Sequence, residues 1–541
     1  MEHGMRKIKN PVLSGFYPDP SICRAGGGFY LVTSTFAYFP GIPVFHSNDL
    51  LHWRQIGNAI DRPGQLCFDG HGISRGLFAP TIRHNNGIFY ILCTLIDAGG
   101  NFIITAKDPS GPWSNPLWLT GADGIDPSIF FDDDGKAWYC GTHPAPEGEA
   151  YPGNYEIYIQ EIDLSLLAEG KNPLSGESAG IWRGAMRNVI WPEGPHIYKI
   201  GGWYYLLHAE GGTSIDHAVC IARAKNIRGP WEGKKSNPLL THRHLGKRAE
   251  IINVGHGDIV DDTEGNWLMV LLASRPFDGV CPLGRETFMV PIVWENEWPS
   301  IATKSGLVEN EIDLPVLAPN NADLPAKAAL PVSWDENSCD HFTDRLPMHW
   351  LTLRMPANEK DASFSLTERS GALRLFTKAA TLREKNHCAF AGRRLRHKDW
   401  AFCAEMEFSP KAESESAGIV LLQSEDYQYK FELHGASNSR LLFRLVKTAG
   451  KEEQIIADRE CHITGTHLVL AARCEDMKLS FYCGEDQYSL KLFASEQDAR
   501  ILSTEYSGGF VGSIAGVFAS GNGKDTENYA DVFWAEYRGL Q

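Results

Sequence analysis

One motif recurs five times within the first 300 residues, and this repetition limits the fold more than any other feature of the chain. Each copy consists of a short apolar strand, a glycine-containing turn and an aromatic strand. The copies begin near residues 20, 80, 127, 195 and 258, which leaves room for four short strands in each unit. Repeats of this size are typical of β-propellers. The sequence therefore predicts a five-bladed β-propeller over residues 1–300, with copies that begin at Asp19, Ala79, Asp126, Gly194 and Gly257.

The pattern changes after residue 300. A stretch interrupted by prolines runs from Leu314 to Trp334, and we interpret residues 301–333 as a linker. Alternation of apolar and polar residues resumes beyond it, as in the run from Tyr427 to Leu433. About 200 residues of this kind predict a β-sandwich over residues 334–541. The predicted fold class is all-β, with the propeller followed by the sandwich.

Charge and hydropathy argue against two classes of partner. The chain carries 67 Asp and Glu residues against 51 Lys and Arg, a formal net charge of −16. A balance this acidic does not favour a protein that coats nucleic acid or anionic lipid. No run of about 18 apolar residues occurs, so no membrane-spanning helix is expected. We therefore expect neither nucleic acid nor a membrane as a partner.

The twelve cysteines and the first residues of the chain bear on its compartment. No CxxC pair occurs, and most cysteines lie in apolar runs, as Cys93 and Cys220 do. The segment ahead of Asn10 lacks the apolar core of a signal peptide. These features predict reduced, buried thiols and a cytoplasmic protein.

Carboxylates stand at the start of three of the five repeats. Asp19 and Asp126 open the first and third copies, and Glu193 directly precedes the fourth. The first strand of each blade lines the axis of a propeller, so these side chains should converge at one end of the channel. An Asp-Pro pair is also ordinary turn chemistry, which stays an alternative for any one of them. Three converging carboxylates would raise the pKa of at least one, which lets an acid and a base coexist near neutral pH.

The motifs around these acids resemble those of family 43 glycoside hydrolases of the β-xylosidase type. The opening segment NPVLSGFYPDPSICR (residues 10–24) carries the resemblance, and GIDPSIF (124–130), EGPHIY (193–198) and HAEGGT (208–213) continue it in order. Further matching segments are residues 34–41, 255–257 and 283–287. The resemblance covers the propeller throughout. It extends more weakly into the C-terminal region, where these enzymes carry a concanavalin-like β-sandwich.

The resemblance implies an exo-acting, inverting β-xylosidase that releases xylose, and potentially arabinose, from xylooligosaccharides. Asp19 would be the general base that activates water, Glu193 the general acid, and Asp126 would orient the acid and tune its pKa. Inversion needs room for a water molecule, so base and acid should lie about 6.5–9.5 Å apart. An α-L-arabinofuranosidase that acts on arabinoxylan or arabinan oligosaccharides stays open, because Ile125 stands where some relatives have Phe.

The resemblance also extends to residues that would bind the substrate. Arg275 would bind sugar hydroxyls, Phe36 would form an aromatic wall, and Phe78 replaces a tryptophan of related xylosidases. Phe510 would reach from the sandwich to close the pocket. Each of these aromatic residues is equally compatible with an ordinary core position. The full set of predicted substrate-binding residues is Phe36, Phe78, Thr213, His256, Arg275 and Phe510.

No cofactor is required by the resemblance, and no metal ligand is assigned. We expect His256 to be hydrogen-bonded in the channel beneath the pocket. A structural calcium ion near His256 stays open, although one histidine is a poor calcium signature. The expected partner is a small-molecule oligosaccharide, and a homo-oligomer is compatible with the sequence.

Two other functions use a similar scaffold. A non-catalytic carbohydrate-binding protein would need aromatic walls but not all three acids. A sucrose-cleaving propeller would show Arg-Asp-Pro and Glu-Cys motifs, whereas this chain has Ile125-Asp-Pro and Glu193-Gly. The GESAG segment (176–180) matches a nucleophile motif, but its neighbours do not predict a strand-to-helix turn. The hydrolase therefore accounts best for the motifs.

Overall fold

The computed structural model describes residues 5–262, 264–315, 338–354, 363–436, 440–460 and 467–540. Strands dominate these ranges, which confirms the all-β prediction. The α-helices within the described ranges are two short ones, Leu164–Ala168 and Thr504–Ser507. Single turns of 3-10 helix occur at Arg243–Leu245 and Ala499–Ile501.

Five four-stranded antiparallel sheets form the five predicted blades. The first strand of each blade contacts the first strands of the two neighbouring blades, so these five strands surround the axis. Blade 1 comprises Ser21–Ala25, Gly28–Val32, Gly41–Ser47 and Arg54–Ile60, and blade 2 comprises Thr81–Asn85, Ile88–Leu95, Gly100–Ala106 and Leu117–Trp118. Blade 3 comprises Ile125–Phe131, Ala137–Pro144, Tyr155–Ile162 and Leu174–Trp182. Blade 4 comprises Glu193–Ile200, Trp203–Glu210, Ala218–Ala224 and Glu232–Gly233, and blade 5 comprises Ile252–Asp261, Trp267–Ser274, Glu286–Glu295 and Trp298–Ile301.

The second strands of the blades are apolar on both faces because each blade is packed between two others. In blade 2, Phe89 and Ile91 pack against blade 1. Tyr90 and Leu92, which alternate with them, pack against blade 3. Successive side chains of a strand point to opposite faces, so one strand serves two cores. This arrangement explains why the aromatic strands lack a simple alternation of apolar and polar residues.

The prediction of a linker over residues 301–333 is wrong in its described part. Ile301 ends the outermost strand of blade 5, and Glu311–Pro315 pairs antiparallel with Met5–Lys9. Val308 and Leu314 are buried in clusters of the propeller. Residues 302–315 therefore belong to the propeller, because Val308, Ile312 and Leu314 are buried in it. Residues 316–333 of the predicted linker lie outside the described residues.

The C-terminal region forms the predicted β-sandwich from two eight-stranded sheets. One sheet comprises Ser338–His341, Phe364–Ser365, Leu373–Phe376, Trp400–Phe408, His467–Glu475, Lys478–Gly484, Lys491–Asp498 and Tyr529–Gly539. The other comprises Trp350–Leu353, Ala389–Arg394, Ser416–Ser424, Tyr427–Ala436, Arg440–Ala449, Glu452–Glu460 and Ile514–Ser520, together with Tyr38–Phe39. This last strand comes from a loop of blade 1 and pairs with Thr352 and Leu353. The sandwich sheet is thus completed by the propeller.

Two buried arginines of the sandwich hold the segments of the propeller that lead to its axis. Arg394 donates from Nε to the Phe16 carbonyl oxygen at 2.8 Å, and its guanidinium lies over the rings of Phe16 and Tyr17. Arg354 donates to the His71 carbonyl oxygen at 2.8 Å and forms an ion pair with Glu425. Such contacts fix the sandwich against the face of the propeller where the inner strands begin.

The eleven described cysteines form no disulfide bond with one another. Seven of them are buried, and burial raises the pKa of the Cys23 thiol to about 12. Cys67 and Cys339 are exposed, in contrast to the predicted burial. Most of these residues therefore act as small apolar side chains of the core. Among the described helices, none has the length and apolar character needed to cross a membrane.

Candidate active site

The inner strands contain an irregularity that turns polar side chains towards the axis. In blade 3, Ile125 pairs with Thr142 and Ser128 with Cys140, so Asp126 lies in a bulge. Asp126 has φ +55°, and Asp19, at the same place in the first repeat, also has φ +55°. Non-glycine residues rarely adopt this left-handed conformation, and they cluster at functional sites. The bulges therefore place equivalent residues of different blades at one end of the channel.

All five blades and the sandwich contribute to one pocket of about 110 Å³ at this end of the axis. The three predicted catalytic carboxylates lie in its wall. The residues that line the pocket are Asp19, Phe36, Phe78, Ala79, Ile125, Asp126, Glu193, Thr213, His256, Arg285 and Phe510. Eight of the nine predicted site residues are thus brought together, and Arg275 is the exception.

Asp19 is held as a carboxylate. Its Oδ1 accepts a hydrogen bond from Arg285 Nη1 at 2.7 Å, and its Oδ2 accepts one from the Ser34 hydroxyl at 2.6 Å. Burial alone would raise the pKa of Asp19, but the charges of Arg285 and His256 and the Ser34 hydrogen bond outweigh burial. The pKa of Asp19 is consequently below its usual range. A buried carboxylate that stays ionised is suited to accept a proton from water.

Glu193 has the opposite behaviour. Burial raises the pKa of Glu193 well above its usual range, and the negative charges of Asp126 and Asp19 raise it further. Burial, together with the charge of Asp19, also raises the pKa of Asp126 to about 6, although His256 opposes the shift. One oxygen of Asp126 accepts a hydrogen bond from the Gly194 amide at 3.0 Å, next to Glu193. Glu193 therefore stays protonated when Asp19 is ionised, as an acid and a base in one site require.

The predicted sugar-binding arginine, Arg275, does not line the pocket. Its guanidinium forms a bidentate pair with the fully buried Glu286, at 2.7 and 2.8 Å, so its charge is neutralised away from the pocket. The pocket arginine is Arg285, which bonds Asp19, the Thr213 hydroxyl at 2.8 Å and the Phe510 carbonyl oxygen at 3.4 Å. The prediction that Arg275 lies in the pocket is therefore wrong, and Arg285 occupies that place. Arg285 lies in the matching segment 283–287, but that segment does not show which arginine reaches the pocket.

Three phenylalanines form the aromatic wall. The rings of Phe36 and Phe510 are stacked with centroids 6.1 Å apart and an interplanar angle of 18°. Phe78 meets each of them edge-on at 5.7 Å. The sequence left open whether these residues form a substrate-binding wall or an ordinary core. Both descriptions apply, because the three rings line the pocket and also pack on the buried cluster between the domains. Phe510 thus brings the sandwich into the site.

His256 and Gly194 are fitted to each other across the pocket floor. A Cβ atom on Gly194 would lie 2.9 Å from the His256 ring, so a side chain at position 194 would displace the histidine. Glycine at position 194 also has φ +57°, which it adopts without strain. His256 thereby faces the acids and contributes to the pKa of Asp19 and Asp126.

A polar network that the sequence analysis missed closes the axis below the pocket. Asp258 is fully buried and accepts hydrogen bonds from Arg83 at 2.7 and 3.0 Å and from the Ser21 hydroxyl at 2.6 Å. Arg83 also contacts His196 at 3.0 Å. These residues come from blades 1, 2, 4 and 5, so they tie together the inner strands that carry the site. The signal was their place within the first four residues after each of these repeats begins.

Within the described ranges, one group of buried side chains has the spacing of a metal site. The donor atoms of His208, Glu210 and Cys220 lie within 4.8 Å of one another. His208 and Glu210 bond each other at 2.8 Å, and Glu210 also accepts a hydrogen bond from the Ala185 amide. This group does not line the pocket. The calcium ion considered near His256 stays a prediction.

Both regions of the chain match known families. Residues 8–299 match the family model for glycosyl hydrolases family 43, and residues 339–538 match that for the beta-xylosidase C-terminal concanavalin A-like domain. A xylosidase/arabinosidase of Butyrivibrio fibrisolvens is 43% identical over 526 residues, which cover 96% of this chain and 97% of that protein. A non-reducing end α-L-arabinofuranosidase of Bacteroides ovatus is 34% identical, with 99% of this chain and 95% of that protein covered. The crystal structure of a xylan β-1,4-xylosidase from Bacillus halodurans superposes with a TM-score of 0.87 at 30% identity, and covers 98% of this chain and all of that one.

Proposed function

Because the chain belongs to family 43 of the glycosyl hydrolases, we propose that it removes single xylose residues from the non-reducing ends of β-xylooligosaccharides with inversion. The chain is a glycoside hydrolase, and the open question is its substrate and the role of each residue. The observation that carries the proposal is the opposite pKa shift of Asp19 and Glu193 within one pocket. That pair supplies an ionised base and a protonated acid at the same pH.

The size of the pocket supports cleavage at a chain end. A cavity of about 110 Å³ has room for little more than one sugar ring, and the three phenylalanines close one side of it. The remaining sugars of an oligosaccharide would have to extend out of its mouth. An internal sugar of a long chain would need two exits. The small size of the pocket therefore favours an exo-acting enzyme.

The reaction follows from the two protonation states. Asp19 accepts a proton from a water molecule while the water oxygen forms a bond to the anomeric carbon. Glu193 donates its proton to the glycosidic oxygen as the bond from that oxygen to the anomeric carbon breaks. Both acids then return to their starting states by proton exchange with solvent. The water attacks opposite the leaving group, so a β-xyloside yields α-xylose first.

Two other residues tune this pair. Asp126 bonds the Gly194 amide and so fixes the backbone beside Glu193, while its negative charge raises the pKa of the acid. Arg285 acts on the base, because its ion pair at 2.7 Å keeps Asp19 ionised. Their roles as positioning residues follow from contacts to the acid and the base rather than to the reacting bond.

A second candidate is an α-L-arabinofuranosidase of the same mechanism. The names of the relatives from Butyrivibrio fibrisolvens and Bacteroides ovatus both include arabinose-releasing activity. Ile125 lines the pocket, at the position where the resemblance places Phe in some relatives, and its side chain is smaller than that of Phe. A furanose differs in shape from a xylopyranose, so the side of the pocket formed by Ile125 affects the preference between xylose and arabinofuranose. The non-catalytic and sucrose-cleaving alternatives gain no support from the family assignment.

One side-by-side assay tests the proposal. Xylobiose, an arabino-xylooligosaccharide and an arabinan oligomer are incubated with the wild-type chain, and the first-formed anomer is followed by NMR. We expect xylobiose to be cleaved fastest and α-xylose to appear first. Release of arabinose alone would establish the second candidate, and β-xylose as the first product would overturn inversion. The Asp19→Asn variant, purified in parallel, controls for contaminating hydrolases.

The cytoplasmic location and the calcium ion near His256 stay predictions. The first rests on the reduced, largely buried cysteines. The second is tested by metal analysis of protein that has been dialysed against calcium and then against buffer alone.

A further inference from the structure

Trp191 is an exposed aromatic residue two positions before Glu193. It is 37% exposed, which is unusual for a tryptophan. Its φ is +46°, in the left-handed region that bulky residues rarely adopt. Strained backbone of this kind persists only when the surroundings hold it, and it concentrates at functional sites. The conformation of Trp191 therefore raises two questions: which contacts hold it, and what function it serves.

Two loops supply the support. The Trp191 amide donates to the Gly153 carbonyl oxygen at 2.8 Å, and the Gly211 amide donates to the Ile190 carbonyl oxygen at 3.0 Å. Neither loop has room for a side chain where it meets the indole. A Cβ atom on Gly153 would lie 3.0 Å from the Trp191 ring, and one on Gly212 would lie 2.6 Å from it. The indole is therefore fixed in one place between the two loops.

The segment that carries Trp191 is also fixed from other directions. The Tyr151 hydroxyl donates to the Val189 carbonyl oxygen at 3.0 Å. Arg183 bonds both Glu147 and Glu156, the latter at 2.9 Å. The Ala185 amide donates to the buried Glu210. An exposed ring on so constrained a segment is preorganised to bind a ligand, because little side-chain freedom would be lost.

The place of Trp191 relative to the pocket indicates which part of the substrate it meets. Gly212, which touches the indole, is followed by Thr213 of the pocket wall. Trp191 is not among the residues that line the cavity, but its exposed indole lies against Gly212, the neighbour of a residue that does. Glu193 would protonate the leaving oxygen, so the leaving group should depart on the side of Glu193. Trp191 is two residues from Glu193, and we therefore expect it on that side.

We propose that the Trp191 indole binds the sugar ring of the leaving group and so makes the enzyme selective for oligosaccharides over substrates with small leaving groups. The inference rests on the proposed function and deepens it. A pentose ring presents an apolar surface of C–H groups that an aromatic face covers well, and it carries no charge that would need a partner. Trp191 would therefore determine specificity outside the pocket, while the phenylalanines bind the sugar inside it.

Two substrates with the same sugar in the pocket test the proposal. Xylobiose has a sugar as its leaving group, and β-D-xylosyl fluoride has a single atom. For Trp191→Ala we expect kcat/KM on xylobiose to fall about 10-fold, mainly through KM, and kcat/KM on the fluoride to fall less than about threefold. Trp191→Phe should keep most of the activity on xylobiose. The readout is the ratio of kcat/KM between the two substrates, together with the division of the xylobiose loss between KM and kcat.

Trp118→Ala is the matched control. Trp118 is a half-buried tryptophan on the outermost strand of blade 2, where it packs against Phe102. We expect the ratio to stay at the wild-type value. A loss for Trp191→Ala that falls on the kcat for xylobiose, with KM unchanged, would mean that the residue only holds Glu193 in place, because the fluoride needs little protonation. Unchanged rates on both substrates would put the leaving group elsewhere. Either result overturns the proposal while leaving the proposed function intact. Failure of the wild type to cleave either substrate would overturn both.

Discussion

Two sides of the pocket each carry a carboxyl group, but in opposite protonation states. On the Asp19 wall the group is ionised, and on the Glu193 wall it is protonated. Asp19 is paired with a cation and a hydroxyl, whereas Glu193 has no ion pair among the described residues and has two acids as its electrostatic neighbours. Asp19 is buried and Glu193 is partly buried, and both stand at the start of a repeat. Position in the fold therefore brings the carboxylates together, and the ion pair with a single arginine favours the ionised form of one of them, the proposed base.

The largest test of this comparison removes the base. Asp19→Asn should lower kcat on every substrate by about 10³-fold or more, because no other ionised carboxylate with a lowered pKa lines the pocket. Initial rates on xylobiose and on an aryl xyloside measure the loss. The melting temperature of the variant shows whether it remains folded. Activity within a factor of ten of the wild type would place the base elsewhere.

Removal of the acid should give a loss that depends on the leaving group. For Glu193→Gln we expect about a 10²–10³-fold loss on xylobiose, whose leaving oxygen must be protonated. An aryl xyloside with an acidic phenol should lose less than about 10-fold. The two substrates are compared in one buffer at the same pH. Equal losses on both would contradict the assignment of Glu193 as the acid.

A smaller effect is expected when the arginine between the two walls is neutralised. Arg285 lowers the pKa of both Asp19 and Glu193, so Arg285→Met should raise both. Asp19 must be ionised and Glu193 protonated, so both limbs of the pH profile of kcat/KM should move to higher pH. We expect the acidic limb to move by about one pH unit, because Asp19 touches the arginine. Arg275→Lys is the control, and a shift of similar size in that variant would refute the role of Arg285.

The smallest effect concerns stability, and it has opposite signs at the two walls. The folded pKa of Glu193 is raised, so the stability contributed by its protonated form is complete below about pH 4.3 and is lost as pH rises through the folded pKa. Glu193→Gln should thus melt a few degrees above the wild type at pH 8 and with no such gain at pH 4. The folded pKa of Asp19 is lowered, so its contribution is present above about pH 3.9 and is lost as pH falls. Asp19→Asn should therefore melt at a lower temperature than the wild type at pH 8, and this difference in melting temperature should vanish in acid. Differential scanning calorimetry from pH 4 to pH 8 measures both variants. A shift of the melting temperature in the same direction for both variants at pH 8 would refute the comparison.

The blades and the three acids could be predicted because their signals are local. A repeat start contains the strand, the bulge and the acid within a few residues, as at Asp126. Arg285 could not be placed in this way, because its contact with Asp19 joins positions 266 residues apart in sequence. Only the closure of blade 5 onto blade 1 creates that contact. The choice between Arg275 and Arg285 required knowledge of the carboxylate that each arginine contacts. Arg275 forms its ion pair with the buried Glu286.

The boundary of the propeller escaped prediction for a related reason. Residues 311–315 form a strand only through pairing with residues 5–9, about 300 positions earlier. A five-residue strand at that distance leaves no repeat in its own sequence. The prolines around it, which favour extended backbone, are compatible with a linker and with an edge strand alike. The alternation in the sandwich, by contrast, is long enough to be recognised strand by strand.

The two-residue strand Tyr38–Phe39 and the ring of Phe510 have a consequence for the order in which the enzyme becomes competent. The propeller sequence leaves the ribosome first. At that stage the strand Tyr38–Phe39 lacks its partners Thr352 and Leu353, and the aromatic wall lacks Phe510. Both gaps are filled by segments translated much later. A propeller without the sandwich should therefore bind sugar poorly. The sandwich thus ties the completion of the pocket to the folding of a segment that is translated hundreds of residues after the catalytic acids.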